Sequence, residues 1–265
     1  MQILEAGPVF FAFAVPAVVF AGVSKGGFGS GAAFAGVSIL ALIVEPGQAL
    51  ALMLPLLMLI DVAALKPYWR RWNGGDALLL ILGGLPGVAL GAWLFSAIDG
   101  DAMRLLIGGL SVAFVIWQLR ARFGWVARSD PHMRGSGRGI ARRITRRITG
   151  LSAGATAGFT SFVSHAGGPP VAVYLLSRGR AKTEYQATTV LVFWVLNLAK
   201  AVPYASLGLF SAETLTLGLM LAPFALFGTW AGVRLHHHIP EGVFFAIAYV
   251  LLTVTGAKLI WDGLA

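Results

Sequence analysis

The sequence predicts an all-α protein: a polytopic membrane helix bundle of two inverted repeats, each of five hydrophobic segments, with the first two segments of each repeat short or re-entrant. Three observations lead there. Apolar residues fill 57% of the 265 positions against 12% charged, and the mean hydropathy of +0.80 lies outside the range of soluble domains. Polar punctuation divides the chain into matching series of apolar runs, and landmarks recur between its halves. Gln48 precedes a run to Pro67 as Gln186 precedes one to Pro203, and Pro86 with Gly91-Ala92-Trp93 parallels Pro223 with Gly228-Thr229-Trp230, the mark of an internal duplication.

In the first half the runs cover 8–24, 28–44, 47–66, 77–98 and 101–119. The first begins after Glu5 without a positive n-region or a small-residue cleavage site, so it is expected to stay in a chain that starts near Met1. The second half gives 148–162, 166–177, 184–207, 212–235 and 240–261. The last three runs of each half reach the ~20 residues that a bilayer requires. The first two are shorter, which suits re-entrant hairpins or tilted short helices inside the bundle. The domain reading is a first repeat over 1–119, a basic linker over 120–149 and a second repeat over 150–265.

Charge orients the copies, because Lys and Arg favour cytoplasmic loops. The linker carries nine Arg and is placed inside, together with Lys66, Arg70 and Arg71; Glu45, Asp99 and Asp101 fall outside. Counting forward puts Arg178, Arg180, Lys182, Arg234 and His236 to His238 inside, and Glu213 outside. Equivalent loops thus swap sides, and both termini are expected outside. Within the linker, Ile140, Ile144 and Ile148 share one helical face opposite arginines, which predicts a short helix on the inner leaflet. The formal charge of +9 is therefore a matter of membrane orientation, and no nucleic-acid partner is expected.

Two glycine-rich breaks, Gly22 to Gly31 and Gly158 to Pro170, interrupt apolar runs at corresponding places, the pattern of a transporter's binding site. A helix start buried in protein presents unpaired N–H groups and favours anions. Ser30 is the expected N-cap of a helix from Gly31 to Val44; Pro169 and Pro170 suit a first turn, with His165 or Ala166 near the cap. The candidate substrate-binding residues are Ser24, Lys25, Gly26, Gly27, Gly29, Ser30 and Gly31 from the first break, and Thr160, Ser161, Ser164, His165, Gly167 and Gly168 from the second. Lys25 and His165 rank first as ionisable groups at membrane depth. Each has a plainer role open to it: Lys25 snorkelling to water, His165 bonding a carbonyl, and the hydroxyls satisfying broken backbone. Second-rank polar candidates are Asp61, Gln48, Gln186, Asn197 and Lys200, with Asp61 and His165 considered for proton coupling. Asp61 alternatively pairs near the surface with Lys66, and Gln186 and Asn197 alternatively stitch helices together.

Several chemistries are excluded. The chain has no cysteine, hence no disulfide, thiolate or Cys-ligated metal. Lys25 follows Ser24 rather than Gly, so no Walker A loop is present, and no strand precedes Gly27-Phe28-Gly29 to make a dinucleotide site. His236 to His238 point about 100° apart on a helix and read as loop charge rather than a metal tract. No cofactor, metal or catalytic residue is expected.

The stretch Ala21-Gly22-Val23-Ser24-Lys25-Gly26-Gly27-Phe28-Gly29-Ser30-Gly31, the second break from Gly154 to Pro170 and the duplicated layout together resemble the TauE/SafE family of sulfite and organosulfonate exporters, across nearly the whole chain. The chain departs from many relatives in placing Lys25 in the first break and in lacking a Pro soon after those glycines. The resemblance implies a secondary transporter that exports sulfite or an organosulfonate such as sulfoacetate by alternating access, not an enzyme, in a bacterial inner membrane, which would put both termini in the periplasm. The expected partners are that small anion and membrane lipids, with a homodimer allowed. The alternatives weighed are an anion channel and an intramembrane hydrolase using Ser161 or Ser164.

Overall fold

The computed structural model describes residues 7–28, 32–122, 139–179, 181–235 and 241–265, and among these every regular element is helical. In chain order they are α1 (Gly7–Val23), a π-helical turn (Ser24–Phe28), α2 (Ala35–Leu40), α3 (Pro46–Leu65), α4 (Gly74–Ala97), α5 (Gly100–Arg122), α6 (Gly139–Ser164), α7 (Gly168–Ser177), α8 (Lys182–Ser206), α9 (Ala212–Leu235) and α10 (Glu241–Leu264). Seven spans are long and apolar enough to cross a membrane: Gly7–Phe28, α3, α4, the Gly100–Arg120 part of α5, α8, α9 and the Val243–Leu264 part of α10.

The remaining helices differ from these in length or charge. With 10 residues α7 extends roughly 15 Å, about half the hydrocarbon thickness. α2 has 6 residues and lies between turns at 32–34 and 41–44, so the helix expected to begin at Gly31 starts at Ala35 instead. The expected inner-leaflet helix is not a separate element: residues 139–149 are the beginning of α6, which runs on without a break to Ser164. Ile144 and Ile148 on it are exposed.

Polar side chains gather at the two ends of the bundle. At one end Asn73 caps α4, accepting from Asp76 N–H at 2.9 Å, and donates to Glu184 Oε1 at 3.0 Å; its own N–H donates to Thr188 Oγ1 at 2.9 Å. Asp76, fully buried, accepts from Arg146 Nη2 at 2.9 Å and from Tyr174 OH at 2.8 Å. The α3–α4 turn, with Lys66, Arg70 and Arg71, and the starts of α6 and α8 therefore share this basic end. At the opposite end Arg104 donates to Glu45 at 3.0 Å and Asp101 at 2.5 Å.

Glycines set the helix pairs. A Cβ on Gly158 would stand 2.0 Å from Gly84 O, and one on Gly232 would stand 2.4 Å from Val23 O, so α6 on α4 and α1 on α9 meet backbone to backbone. Successive contacts advance together along both members, making each pair parallel. The α4–α6 pair starts at the basic end, and the α1–α9 pair finishes there. α3 and α8 lie between these pairs and carry the core: Leu50, Leu54, Ile60, Val192, Leu196 and Tyr204 are among its buried residues.

Candidate functional site

The buried polar side chains converge where the two breaks face α3 and α8. α1 gives way at Ser24 to the π-turn, and Lys25 on it is 3% exposed. Its ammonium lies 2.5 Å from Asp61 Oδ1 on α3, with the Phe193 ring 5.7 Å away. The other Asp61 oxygen accepts from Asn197 Nδ2 at 2.6 Å. This buried ion pair is thus neutral overall, with the Lys25 ammonium against one carboxylate oxygen and the Asn197 amide bonded to the other.

The second break contributes the other half. α6 ends at Ser164, His165 takes a left-handed φ of 55°, and α7 restarts at Gly168 with Pro in its first turn, as expected. The strained backbone turns the His165 ring inward, where Nε2 faces Leu50 O at 3.3 Å and Nδ1 lies 2.7 Å from Lys200 Nζ. Lys200, fully buried on α8, also donates to Ser161 O and Ser161 Oγ, both at 3.0 Å. Among the described residues no carboxylate lies within ion-pair distance of Lys200. The cluster therefore holds two lysines and one paired aspartate, and places the Lys200 amine among neutral acceptors.

Lys25, Ser161, His165, Asn197, Phe193 and Leu57 enclose a cavity of about 10 Å³, room for one water at most. In this arrangement the centre is closed to anything larger.

The predicted residues distribute unevenly around this centre. Lys25, Asp61, Ser161, His165, Asn197 and Lys200 come together. Asp61 pairs with Lys25 rather than Lys66, and neither Lys25 nor Lys200 snorkels to water. Gln186 donates to Lys25 O at 2.6 Å and so joins the first break to α8. Thr160 Oγ1 donates to Thr156 O at 2.8 Å and Ala166 O at 3.1 Å, and Ser164 Oγ to Thr160 O at 3.2 Å; both hydroxyls satisfy backbone at the break. Gly167 lets α7 start against α6, since a Cβ there would stand 2.6 Å from Ala157 O. Gly168 is buried beside it, and Ser24, Gly26 and Gly27 are buried in the π-turn. Gln48 is half-buried in the first turn of α3, two residues before the carbonyl facing His165. Gly29, Ser30 and Gly31 lie outside the described residues, as do His236 to His238.

Side chains dominate this centre more than helix starts do. α2 begins beyond the expected cap with only one and a half turns, and Pro169 and Pro170 remove two N–H groups from the first turn of α7. The hydrolase alternative fares poorly, because the His165 ring meets Lys200 and a carbonyl rather than a serine. Sequence reasoning missed Phe193, Tyr204 and Tyr68. The first two follow Gln186 at helical spacing on the inward face of α8, a stripe that also carries Asn197 and Lys200, and this periodicity is the signal that reveals them. Tyr204 donates to Phe162 O at 2.9 Å.

The model of the sulfite exporter TauE/SafE family matches residues 14–259, nearly the whole chain. Comparisons with curated proteins and with solved structures return no match. The seven apolar spans agree with a multi-pass membrane protein, and the family is one of transporters rather than enzymes. The chain belongs to the TauE/SafE sulfite exporter family of membrane transporters.

Proposed function

We propose that this transporter is a carrier that exports sulfite or a small organosulfonate across a bacterial inner membrane, with Lys200, Ser161 and His165 receiving the anion's oxygens. The observation that carries this reading is Lys200: a fully buried lysine amine with neutral acceptors and no carboxylate in ion-pair reach among the described residues. A bound oxyanion would favour the charged form of this amine, through the short, charge-assisted hydrogen bonds that ammonium and oxyanion groups form. Lys25, already paired with Asp61, adds a second positive pole without a net charge.

The same reading takes the fold as an inverted repeat. α1 against α9 and α6 against α4 are equivalent pairs under exchange of the halves, and they run in opposite directions. Pro86 and Pro223 lie inside equivalent helices, and Trp93 and Trp230 are both exposed on them. The basic end faces the cytoplasm by the positive-inside rule, and the ends of α2, α4 and α10 face outward. The closed centre then lies between the halves, and rocking one against the other exposes it to each side in turn. Outward movement of one negative charge is favoured by ~2.3 kcal/mol per 100 mV of interior-negative potential, so export requires no further energy source.

Equilibrium binding of radiolabelled sulfite to the purified protein tests the site. Native protein is expected to bind saturably, Lys200→Met to lose at least about tenfold in affinity, and Lys200→Arg to lose less, given what a buried charge-assisted contact contributes. Equal binding by Lys200→Met and native protein removes Lys200 from the site.

A further inference from the structure

At the basic end a second cavity of about 390 Å³ lies between the π-turn, α5, α7, α8 and α10, with Lys182, Gln118 and Gln186 among its lining and Ala172 and Val173 on its α7 wall. Gly27 and Phe28 of the π-turn form part of that wall, while Lys25 on the same turn lines the closed centre. One stretch of non-α backbone therefore divides the two spaces. We propose that this cavity is the entry subsite for the transported oxyanion and that the π-turn is the gate between it and the Lys25–Lys200 centre, held shut by Gln186 and Tyr68. The inference rests on the carrier reading above.

The hydrogen bonds support a gate rather than a fixed wall. A π-helical turn loses the ordinary i to i−4 ladder, and two successive carbonyls on this one are satisfied by side chains from elsewhere. Gln186 Nε2 donates to Lys25 O at 2.6 Å, and Tyr68 OH donates to Gly26 O at 3.0 Å. Each tether is a single neutral hydrogen bond, of the size that a conformational step can exchange. Gly26 and Gly27 give the turn its latitude, and a Cβ at Gly27 would stand 2.3 Å from Gly232 O, so the turn sits directly on α9. Phe28 closes its far side by stacking on Phe244, with ring centroids 4.3 Å apart. Motion of α9 against α3 and α8 thus acts on the gate itself.

The cavity also suits its occupant. Lys182 supplies positive charge at the basic end, Gln118 and Gln186 offer amide donors, and the aromatic and aliphatic remainder accommodates the carbon portion of an organosulfonate. Gln186 belongs both to this lining and to the gate, which makes the subsite continuous with the centre beyond it.

The chain has no native cysteine, so single reporters are unambiguous. Leu57→Cys lines the closed centre and Ala172→Cys the entry cavity. In oriented vesicles an impermeant thiosulfonate applied at the basic end should label Leu57→Cys slowly, and about fivefold faster when either Tyr68→Phe or Gln186→Leu is added, as loss of one hydrogen bond implies. Labelling from the opposite side should not change. No acceleration by either variant, or equal acceleration from both sides, overturns the gate. Sulfoacetate should slow labelling of Ala172→Cys at least twofold, and absence of protection overturns the entry subsite. The gate readout needs no substrate: faster labelling in a chain that carries no anion flux means that the gate stands and the carrier reading fails.

Discussion

Lys25 and Lys200 are both buried, yet what faces them assigns them different work. Lys25 has a carboxylate; breaking that pair leaves an uncompensated buried charge. Lys25→Met and Asp61→Leu should each cost about 3 kcal/mol of stability, and the double substitution should recover most of it, read as thermal unfolding in detergent. Lys200→Met strips away a buried amine that has no carboxylate beside it, so its unfolding temperature should match or exceed that of the native protein. A marked fall would mean that Lys200 is structural. The cost of an ionisable group within an apolar run ranked Lys25 and His165 first, while Lys200 and Asn197 stood among the second-rank polar residues and Ser161 among the hydroxyls of the second break. Sequence reasoning paired Asp61 with Lys66 because local spacing reveals only neighbours on one helix. The true partner comes from another segment, through packing that no periodicity encodes.

Helices were easier to read than their ends. Long apolar runs identified α3, α4, α8 and α9 to within a few residues, since membrane length and hydrophobicity leave little freedom. The ends of the broken helices depend on side chains that arrive from other elements: Tyr68 and Gln186 stabilise a π-turn that glycine content alone presents as a loop. α6 likewise extends back into the arginine-rich stretch, where Asp76 anchors Arg146. Small-residue packing is the most exacting feature at this scale. Gly158→Val should dismantle the α4–α6 contact and abolish a monodisperse chromatographic peak, whereas Gly109→Ala, with nothing within 4 Å of its added Cβ, should behave as native. Comparable profiles for the two would mean that the helices separate without loss of the fold.

For the whole molecule, the proposed topology makes a direct statement about its two ends. Single cysteines replacing Glu45 or Glu213 should react from the periplasmic side of intact cells, and those replacing Arg70 or Lys182 only after the membrane is opened. Reactivity of both sets from one side would refute the inverted arrangement. Charge placement and repeated landmarks are the sequence features on which this proposed topology rests, whereas the closed centre, with about 10 Å³ left in it, depends on three-dimensional packing. A closed centre between a basic-end cavity and the opposite face suits a carrier, which must never open to both sides together. Counterflow of radiolabelled sulfite in proteoliposomes tests that claim most directly. The account predicts accumulation driven by unlabelled sulfite inside, saturating with concentration and lost in Lys200→Met; flux that rises linearly without counterflow, or that equals empty vesicles, would contradict it.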